Sequence, residues 1–179
     1  NLLDKWEIPT RKDNGGENIL PDVAASIKAK MAEKNVFKDD VIGVGLGAPG
    51  PVDGEGMVYG AVNLGWGTFS IRDTLMELLD IPVKAGNDAN VAALGEMWKG
   101  GGQGCKNLVA VTLGTGVGGG IIVNGSILAG ALGAGGEIGH LHIEDNETER
   151  CNCGNTGCLE EYTSATGVVR LAKRMLHSC

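Results

Sequence analysis

The chain has 179 residues with 42% hydrophobic and 21% charged residues, a composition typical of a folded globular protein. Its formal net charge of −7 disfavours a nucleic-acid partner, because binding to phosphate backbones requires clustered Lys and Arg. The apolar runs are too short to cross a bilayer, so we expect no membrane association. One tight cysteine cluster plus the isolated Cys105 and Cys179 favours a reducing cytoplasm over a secreted disulfide scaffold.

The first fifty residues predict a strand, a helix and a second strand. Apolar and polar residues alternate roughly through residues 2–8, which indicates an edge strand that ends at Pro9. Apolar residues recur at every fourth position through residues 19–31 and predict a helix. The apolar residues 41–47 predict a buried strand, which runs into a loop at residues 48–51 whose two prolines prevent an immediate helix. We expect this loop to contribute to a site.

The next elements place a carboxylate at the junction of a strand and a helix. Ser70 can cap a second helix, and residues 81–85 predict a short strand followed by Asn87, Asp88 and a third helix. Ligands of α/β proteins usually bind at such strand ends, where Asp88 can accept a proton from an attacking hydroxyl and Asn87 can hydrogen-bond a polyol. An ordinary helix N-cap accounts for the same residues, and both interpretations stay open here.

Glycine accounts for 31 residues, which are concentrated in a few loops. Residues 45–50 and 114–119 match G-x-G-x-x-G, but neither stretch leads directly into a helix, as a dinucleotide-binding motif requires. Residues 114–120 instead predict a backbone cradle for phosphate on a turn between two strands, to which Thr115 adds a hydroxyl. A glycine-rich hairpin without a ligand is the alternative. The Asn-Gly pair at residues 124–125 predicts a hairpin turn.

Three cysteines within eight residues, with a histidine one loop upstream, predict a tetrahedral zinc site. The candidate ligands are Cys151, Cys153, Cys158 and either His140 or His142. A disulfide with a spare thiol is the alternative, and it is disfavoured because the first two cysteines are too close in sequence to bridge comfortably. Glu137 and Glu160 flank the ligands, so closing the metal loop would draw both acids together, either as part of a binding site or as support for the ligands.

Taken together, these motifs resemble those of the ROK family of bacterial sugar kinases and repressors, its glucokinases in particular. The motifs that carry the resemblance occupy residues 47–53, 63–66, 87–90, 114–120, 136–140 and 151–160. They follow one another in the family's order over nearly the whole chain, and the cysteine motif is highly specific.

The resemblance implies an α/β fold that is actin-like and ribonuclease-H-like, with two lobes, sugar in the cleft between them and ATP on the larger lobe. Residues 1–104 would then form part of the small lobe and residues 105–179 part of the large lobe. The family's amino-terminal phosphate loop, Asp-x-Gly-Gly-Thr, has no counterpart, since residues 13–17 lack the Thr and lie too late. We therefore expect a piece that is incomplete at both ends, with sugar and zinc sites but little turnover of its own.

The resemblance also implies a role for each motif residue. Asp88 would be the base that takes the proton from the sugar 6-hydroxyl as it attacks the γ-phosphate of ATP. The residues implied to bind the sugar are Gly50, Asn63, Asn87, Asp88, Glu137, His140 and Glu160. Those implied to contact the phosphates of ATP, which Mg²⁺ accompanies, are Gly114, Thr115 and Gly116. Those implied to hold a structural zinc ion that shapes the sugar pocket are His140, Cys151, Cys153 and Cys158.

The expected function is ATP-dependent phosphorylation of glucose by a cytoplasmic bacterial enzyme of glycolysis, which family analogy suggests is a homodimer or homotetramer. The sugar-sensing domain of a ROK-type repressor is the alternative, because it binds sugar and zinc without catalysis. Asp88 and the glycine cradle favour the kinase. N-acetylmannosamine, mannose and fructose stay open as substrates, because a single sequence does not resolve the recognition of one hydroxyl. A zinc module with no small-molecule role leaves Asn87 and the cradle unexplained.

Overall fold

The computed structural model describes residues 2–178 of the chain, so the expectation for Cys179 lies outside the described residues. The chain divides into two compact units, Asn1–Asp88 and Ala89–Cys179. This division assigns the helix that follows Asp88 to the second unit, whereas the sequence suggested a boundary at residue 104. The correspondence of the two units to the lobes of a kinase stays a prediction. Within residues 2–178, no helix has the length and apolarity of a transmembrane span.

The first unit packs helices against two small sheets. Its elements are α1 (Asp13–Gly16), α2 (Ile19–Lys34), β1 (Val44–Ala48), β2 (Met57–Ala61), β3 (Trp66–Ser70), α3 (Ile71–Leu79) and β4 (Val83–Asn87). Strand β1 pairs with β4 in parallel, and β2 pairs with β3 antiparallel. The parallel register sets Ala48 opposite Asn87, so the loop after β1 and the end of β4 lie side by side.

Helices α2 and α3 form where their apolar periodicity predicts them. The side chain of Ser70 accepts a hydrogen bond of 3.0 Å from the backbone N–H of Asp73, which confirms the predicted cap of α3. Ile71 and Leu75 are completely buried in the core, and each such side chain stabilises the fold by about 1.5–3 kcal/mol relative to an exposed one. Helix α2 adds Ile19 and Leu20 to the same core, which confirms the first predicted helix.

The edge strand predicted for residues 2–8 is wrong, because residues 2–12 have no regular secondary structure. Side chains rather than a strand ladder attach this segment to α2. The indole N–H of Trp6 donates to Ser26 at 2.7 Å, and the carboxylate of Asp4 lies 3.1 Å from the ammonium group of Lys30. Trp6 and Ile8, which the alternation places on one face, are both exposed, so the alternation does not mark a buried strand face.

The second unit contains one antiparallel sheet and three helices. Its elements are α4 (Asp88–Lys99), β5 (Leu108–Leu113), β6 (Val117–Val123), β7 (Ser126–Ile127), α5 (Glu160–Thr163) and α6 (Ala165–Ser178). The strands lie in the order β5-β6-β7. Asn124 and Gly125 both have positive φ angles, of 51° and 80°, in the turn from β6 to β7. Two positive φ angles are the requirement of a type I′ turn, so the hairpin predicted from the Asn-Gly pair is confirmed.

The glycine-rich stretch after β5 divides into a turn and a packing surface. Strand β6 begins at Val117, so only residues 114–116 form the turn, and the predicted cradle is shorter than residues 114–120. A Cβ atom at Gly120 would lie 2.5 Å from the Cβ of Ala93, and one at Gly118 would lie 3.0 Å from the Cβ of Ala89. These two glycines therefore let α4 approach the sheet closely.

Candidate functional site

The structure brings one histidine and three cysteines of the second unit into a cluster. Its members are His140, Cys151, Cys153 and Cys158, whose ligand atoms all lie within 4.8 Å of one another. The sulfurs of Cys153 and Cys158 are 3.6 Å apart, and the sulfur of Cys151 lies 3.7 Å from Nδ1 of His140. Tetrahedral zinc with Zn–S bonds of about 2.3 Å and Zn–N bonds of about 2.05 Å has ligand separations of about 3.6–3.8 Å. The four residues therefore fit zinc.

The distance between the sulfurs of Cys153 and Cys158 excludes a disulfide between these two cysteines. A disulfide joins two sulfurs at about 2.05 Å, far less than the 3.6 Å that separates Cys153 from Cys158. Burial raises the pKa of the Cys158 thiol to about 12, so without a cation this group is protonated at neutral pH. Loading of a metal ion must therefore release protons from the cluster.

Tight turns between the ligands shape the cluster. The backbone N–H of Cys151 donates to the carbonyl of Asn155, and the N–H of Gly154 donates to the carbonyl of Cys151, each at 2.8 Å. Gly154 and Gly157 have φ angles of +92° and +68°, a region that favours glycine. These turns fold the segment back on itself and direct its three thiols towards one point.

The structure places His140 rather than His142 with the cysteines. His142 directs Nδ1 to the carbonyl of Thr156 and Nε2 to the carboxylate of Asp145, both at 2.9 Å. The hydrogen bond to Asp145 raises the pKa of His142. The Nε2 atom of His140 lies 3.9 Å from a carboxylate oxygen of Glu137, on the side of the ring away from the nitrogen that faces Cys151.

Three predicted sugar residues of the first unit, Gly50, Asn87 and Asp88, meet at the ends of β1 and β4. The side-chain amide of Asn87 is buried and donates to the carbonyl of Gly50 at 3.1 Å. Gly50 has a φ of +86°, and a Cβ atom there would lie 2.5 Å from the carbonyl oxygen of Gly60. Asp88 follows at once as the exposed first residue of α4. Asn63 is an exposed residue of the turn Val62–Leu64.

The turn implied to contact ATP phosphates is held by the helices that follow the cysteines. The N–H of Gly114 donates to the carbonyl of Gly116 at 3.0 Å and closes the turn. A carboxylate oxygen of Glu160 accepts from the backbone N–H of Val117 at 2.8 Å, at the first residue after the turn. Glu160, a predicted sugar residue, thus contacts the residue that follows the turn 114–116.

A buried carboxylate in the second unit was not identified from the sequence. The side chain of Glu147 is only 1% exposed, and its oxygens accept from Arg174 at 2.6 and 2.8 Å and from the hydroxyl of Tyr162 at 2.8 Å. Arg170 donates to it at 3.2 Å. The Arg174 guanidinium holds the pKa of Glu147 well below its usual range. This network attaches the segment that leads to Cys151 to helix α6.

Comparisons with known proteins show similarity over most of the chain. The ROK family model matches residues 2–179. A glucokinase from Halalkalibacterium halodurans is 51% identical over 172 residues, which are 96% of this chain and 52% of that protein. A xylose repressor from Caldicellulosiruptor bescii is 36% identical over 152 residues, which are 82% of this chain and 38% of the repressor.

A solved structure extends the similarity to the fold. The crystal structure of a ROK family glucokinase from Streptomyces griseus, in complex with glucose and AMPPNP, matches with a TM-score of 0.82 and 34% identity. The match covers 99% of this chain and 55% of that one. The chain therefore spans about half the length of the glucokinases it matches, and the predicted α/β sugar-kinase fold is confirmed for that half.

Proposed function

The chain belongs to the ROK family, and we propose that its protein is a kinase that transfers the γ-phosphoryl group of ATP to the 6-hydroxyl of glucose. The observation that carries the proposal is the position of Asp88. This exposed carboxylate begins α4 directly after Asn87, whose side chain is fixed to the Gly50 loop. The 51% identity to a glucokinase over 96% of the chain supports glucose as the substrate.

Each residue has a defined task in the proposed reaction. Asn87 and Gly50 orient the sugar, and Asp88 accepts the proton of the 6-hydroxyl as that oxygen attacks the γ-phosphorus. The bond from the γ-phosphorus to the leaving oxygen breaks, which yields glucose 6-phosphate and ADP. Residues 114–116 hold the phosphates of the Mg²⁺-bound nucleotide. Positioning and charge stabilisation contribute most of the catalysis in such transfers, and a general base adds about 10²–10⁴-fold.

We propose that the cysteine–histidine cluster holds zinc and that the zinc is structural. When bound, the ion supplies four fixed bonds that lock the loop of His140 to the cysteine segment. Because Nδ1 of His140 faces Cys151, the Nε2 atom is directed elsewhere, and with the adjacent Glu137 it is suited to hydrogen-bond sugar hydroxyls. Glu160 would contribute a further carboxylate oxygen to the same sugar.

A sugar-sensing regulator is the second candidate, and the 36% identity to a xylose repressor supports it. Such a protein needs the sugar and zinc residues but has no use for a base at Asp88 or for a phosphate turn at residues 114–116. These two features favour the kinase. A cytoplasmic location, a homo-oligomeric state and low turnover by this piece alone stay predictions.

An assay of phosphate transfer with a panel of hexoses separates the two candidates. The zinc-loaded full-length protein would be incubated with MgATP and glucose, mannose, fructose or N-acetylmannosamine, and ADP release would be measured. We expect the highest kcat/KM with glucose. A folded, zinc-loaded protein that binds a sugar but transfers phosphate to none of them would support the regulator instead.

A further inference from the structure

Both loops that carry the cluster ligands pack against the first residue of β6. Gly139, which precedes His140, lies so close to this strand that a Cβ atom on it would come within 3.1 Å of the Cβ of Val117. From the other side, Glu160, two residues after Cys158, accepts from the N–H of Val117 at 2.8 Å. Val117 directly follows the turn 114–116, so both loops hold one end of that turn.

Glu160 also lies beside the cluster itself. One of its carboxylate oxygens, the sulfur of Cys151 and a carboxylate oxygen of Glu161 lie within 4.8 Å of one another. A Cβ atom on Gly116 would meet the Glu160 carboxylate, so this side chain lies directly against the turn. One carboxylate therefore lies beside the cysteine cluster and against the turn.

The start of α6 holds the opposite end of the turn. The N–H of Ala165 donates to the carbonyl of Gly114 at 2.9 Å, and the hydroxyl of Thr166 donates to the carbonyl of Thr115 at 2.6 Å. The fully buried hydroxyl of Ser164 lies 3.0 Å from that of Thr166 and accepts from the N–H of Gly167. Because the Thr166 hydroxyl already donates to the turn, Ser164 donates to it, and this chain of bonds fixes the Thr166 rotamer.

We propose that Glu160 and Thr166 are positioning residues that hold the turn 114–116 in its phosphate-binding shape, and that Glu160 couples the cysteine–histidine cluster to this turn. The identity of the turn's ligand as the phosphates of ATP rests on the proposed function. The contacts that fix the turn are independent of that proposed function. Loading of the cluster therefore affects the nucleotide side of the reaction as well as the sugar side.

Substitutions at Thr166 test the positioning role with closely matched variants. Thr166→Val removes the hydroxyl and keeps the shape, whereas Thr166→Ser keeps the hydroxyl. Thr163→Val is the control, because the Thr163 hydroxyl donates to the carbonyl of Leu159 and does not contact the turn. In the full-length protein we expect Thr166→Val to raise KM for ATP about fivefold to tenfold, because one hydrogen bond to the turn is lost. KM for glucose should stay within about twofold of the wild-type value. Thr166→Ser and Thr163→Val should leave both constants within twofold.

Hydrogen–deuterium exchange provides a readout that does not depend on activity. We expect Thr166→Val to accelerate amide exchange in residues 114–117 while the β6–β7 turn stays protected. Removal of the metal ion by a chelator should accelerate exchange in residues 114–117 together with the loops of the cluster. Glu160→Gln keeps an acceptor for the N–H of Val117 and should preserve more protection of the turn than Glu160→Ala.

The outcomes separate this inference from the proposed function. Unchanged exchange in residues 114–117 after both Thr166→Val and chelation would overturn the inference even if the protein phosphorylates glucose. Equal increases in KM for ATP and for glucose in Thr166→Val would also overturn it, since they would indicate general loosening. Accelerated exchange in a protein without kinase activity would support the coupling and would contradict only the assignment of ATP.

Discussion

The buried carboxylate of Glu147 gives the sharpest prediction about stability. Glu147→Gln keeps the size and an acceptor oxygen but removes the charge that faces Arg170 and Arg174. Removal of one partner from a buried ion pair typically costs about 3–5 kcal/mol, because the remaining charge is left uncompensated. The side chain of Arg174 is 39% exposed and water screens it in part, so we expect a loss near the lower end, about 3 kcal/mol.

Glu149→Gln is the matched control for this substitution. Glu149 pairs with the same two arginines, at 2.9 Å and 3.0 Å, but its side chain is 51% exposed. An exposed ion pair contributes about 0–1 kcal/mol, so the control should lose less than about 1 kcal/mol. Guanidinium unfolding of the three proteins at pH 7 measures the difference. Equal losses in Glu147→Gln and Glu149→Gln would refute the assignment of the stabilisation to burial.

The pH dependence of the same pair provides a second check. The folded structure lowers the pKa of Glu147, so its contribution is complete above the ordinary carboxyl pKa of about 4.3 and is lost as pH falls through the folded value. The stability gap between the wild type and Glu147→Gln should therefore stay constant from pH 7 to about pH 5.5 and narrow in more acidic buffer. A gap that widens on acidification would contradict the linkage.

Three further predictions concern the metal, a helix cap and a packing glycine. We expect elemental analysis to find one zinc ion per chain in the wild type, none in Cys158→Ser and one in Cys105→Ser; equal zinc in both variants would contradict the proposed ligands. Ser70→Ala should lower the free energy of unfolding by about 1 kcal/mol, since it removes the cap of α3, and no change in a urea titration would refute the cap. Gly120→Ala should cost about 1–3 kcal/mol in the same titration, because its Cβ would overlap α4, whereas Gly45→Ala, with open space around it, should cost less.

Local signals in the sequence predicted most of the regular elements. The cap at Ser70 and the positive φ angles of Asn124 and Gly125 depend on interactions within a few residues, so the sequence specifies them directly. The segment at residues 2–8 shows where such signals fail. Its alternation indicated a strand with one apolar face, but Trp6 and Ile8 are exposed, and the segment is attached through side-chain contacts with α2, which lies far along the chain.

Contacts between distant residues account for what the sequence left undetermined. Gly118 and Gly120 fitted a phosphate cradle in sequence, but they are glycines because α4 packs on them. Glu147 lies 27 residues from Arg174, and no spacing rule predicts that pairing.

The cysteine–histidine cluster was the most predictable part of the site, since Cys151, Cys153 and Cys158 lie within one loop. The choice between His140 and His142 required either the family resemblance or the fold. The roles of Asp88 and of the sugar residues stay predictions, because chemistry at those side chains depends on a bound substrate.

Asp88 is proposed as the base of a sugar kinase, and removal of its charge separates catalysis from binding. Asp88→Asn would be compared with Asp73→Asn, which changes an exposed carboxylate in the first turn of another helix. We predict that Asp88→Asn lowers kcat for glucose phosphorylation by the full-length protein about 10²–10⁴-fold, with glucose affinity by calorimetry and zinc content unchanged, while Asp73→Asn keeps the wild-type rate. Phosphorylation at the wild-type rate by Asp88→Asn would contradict the account.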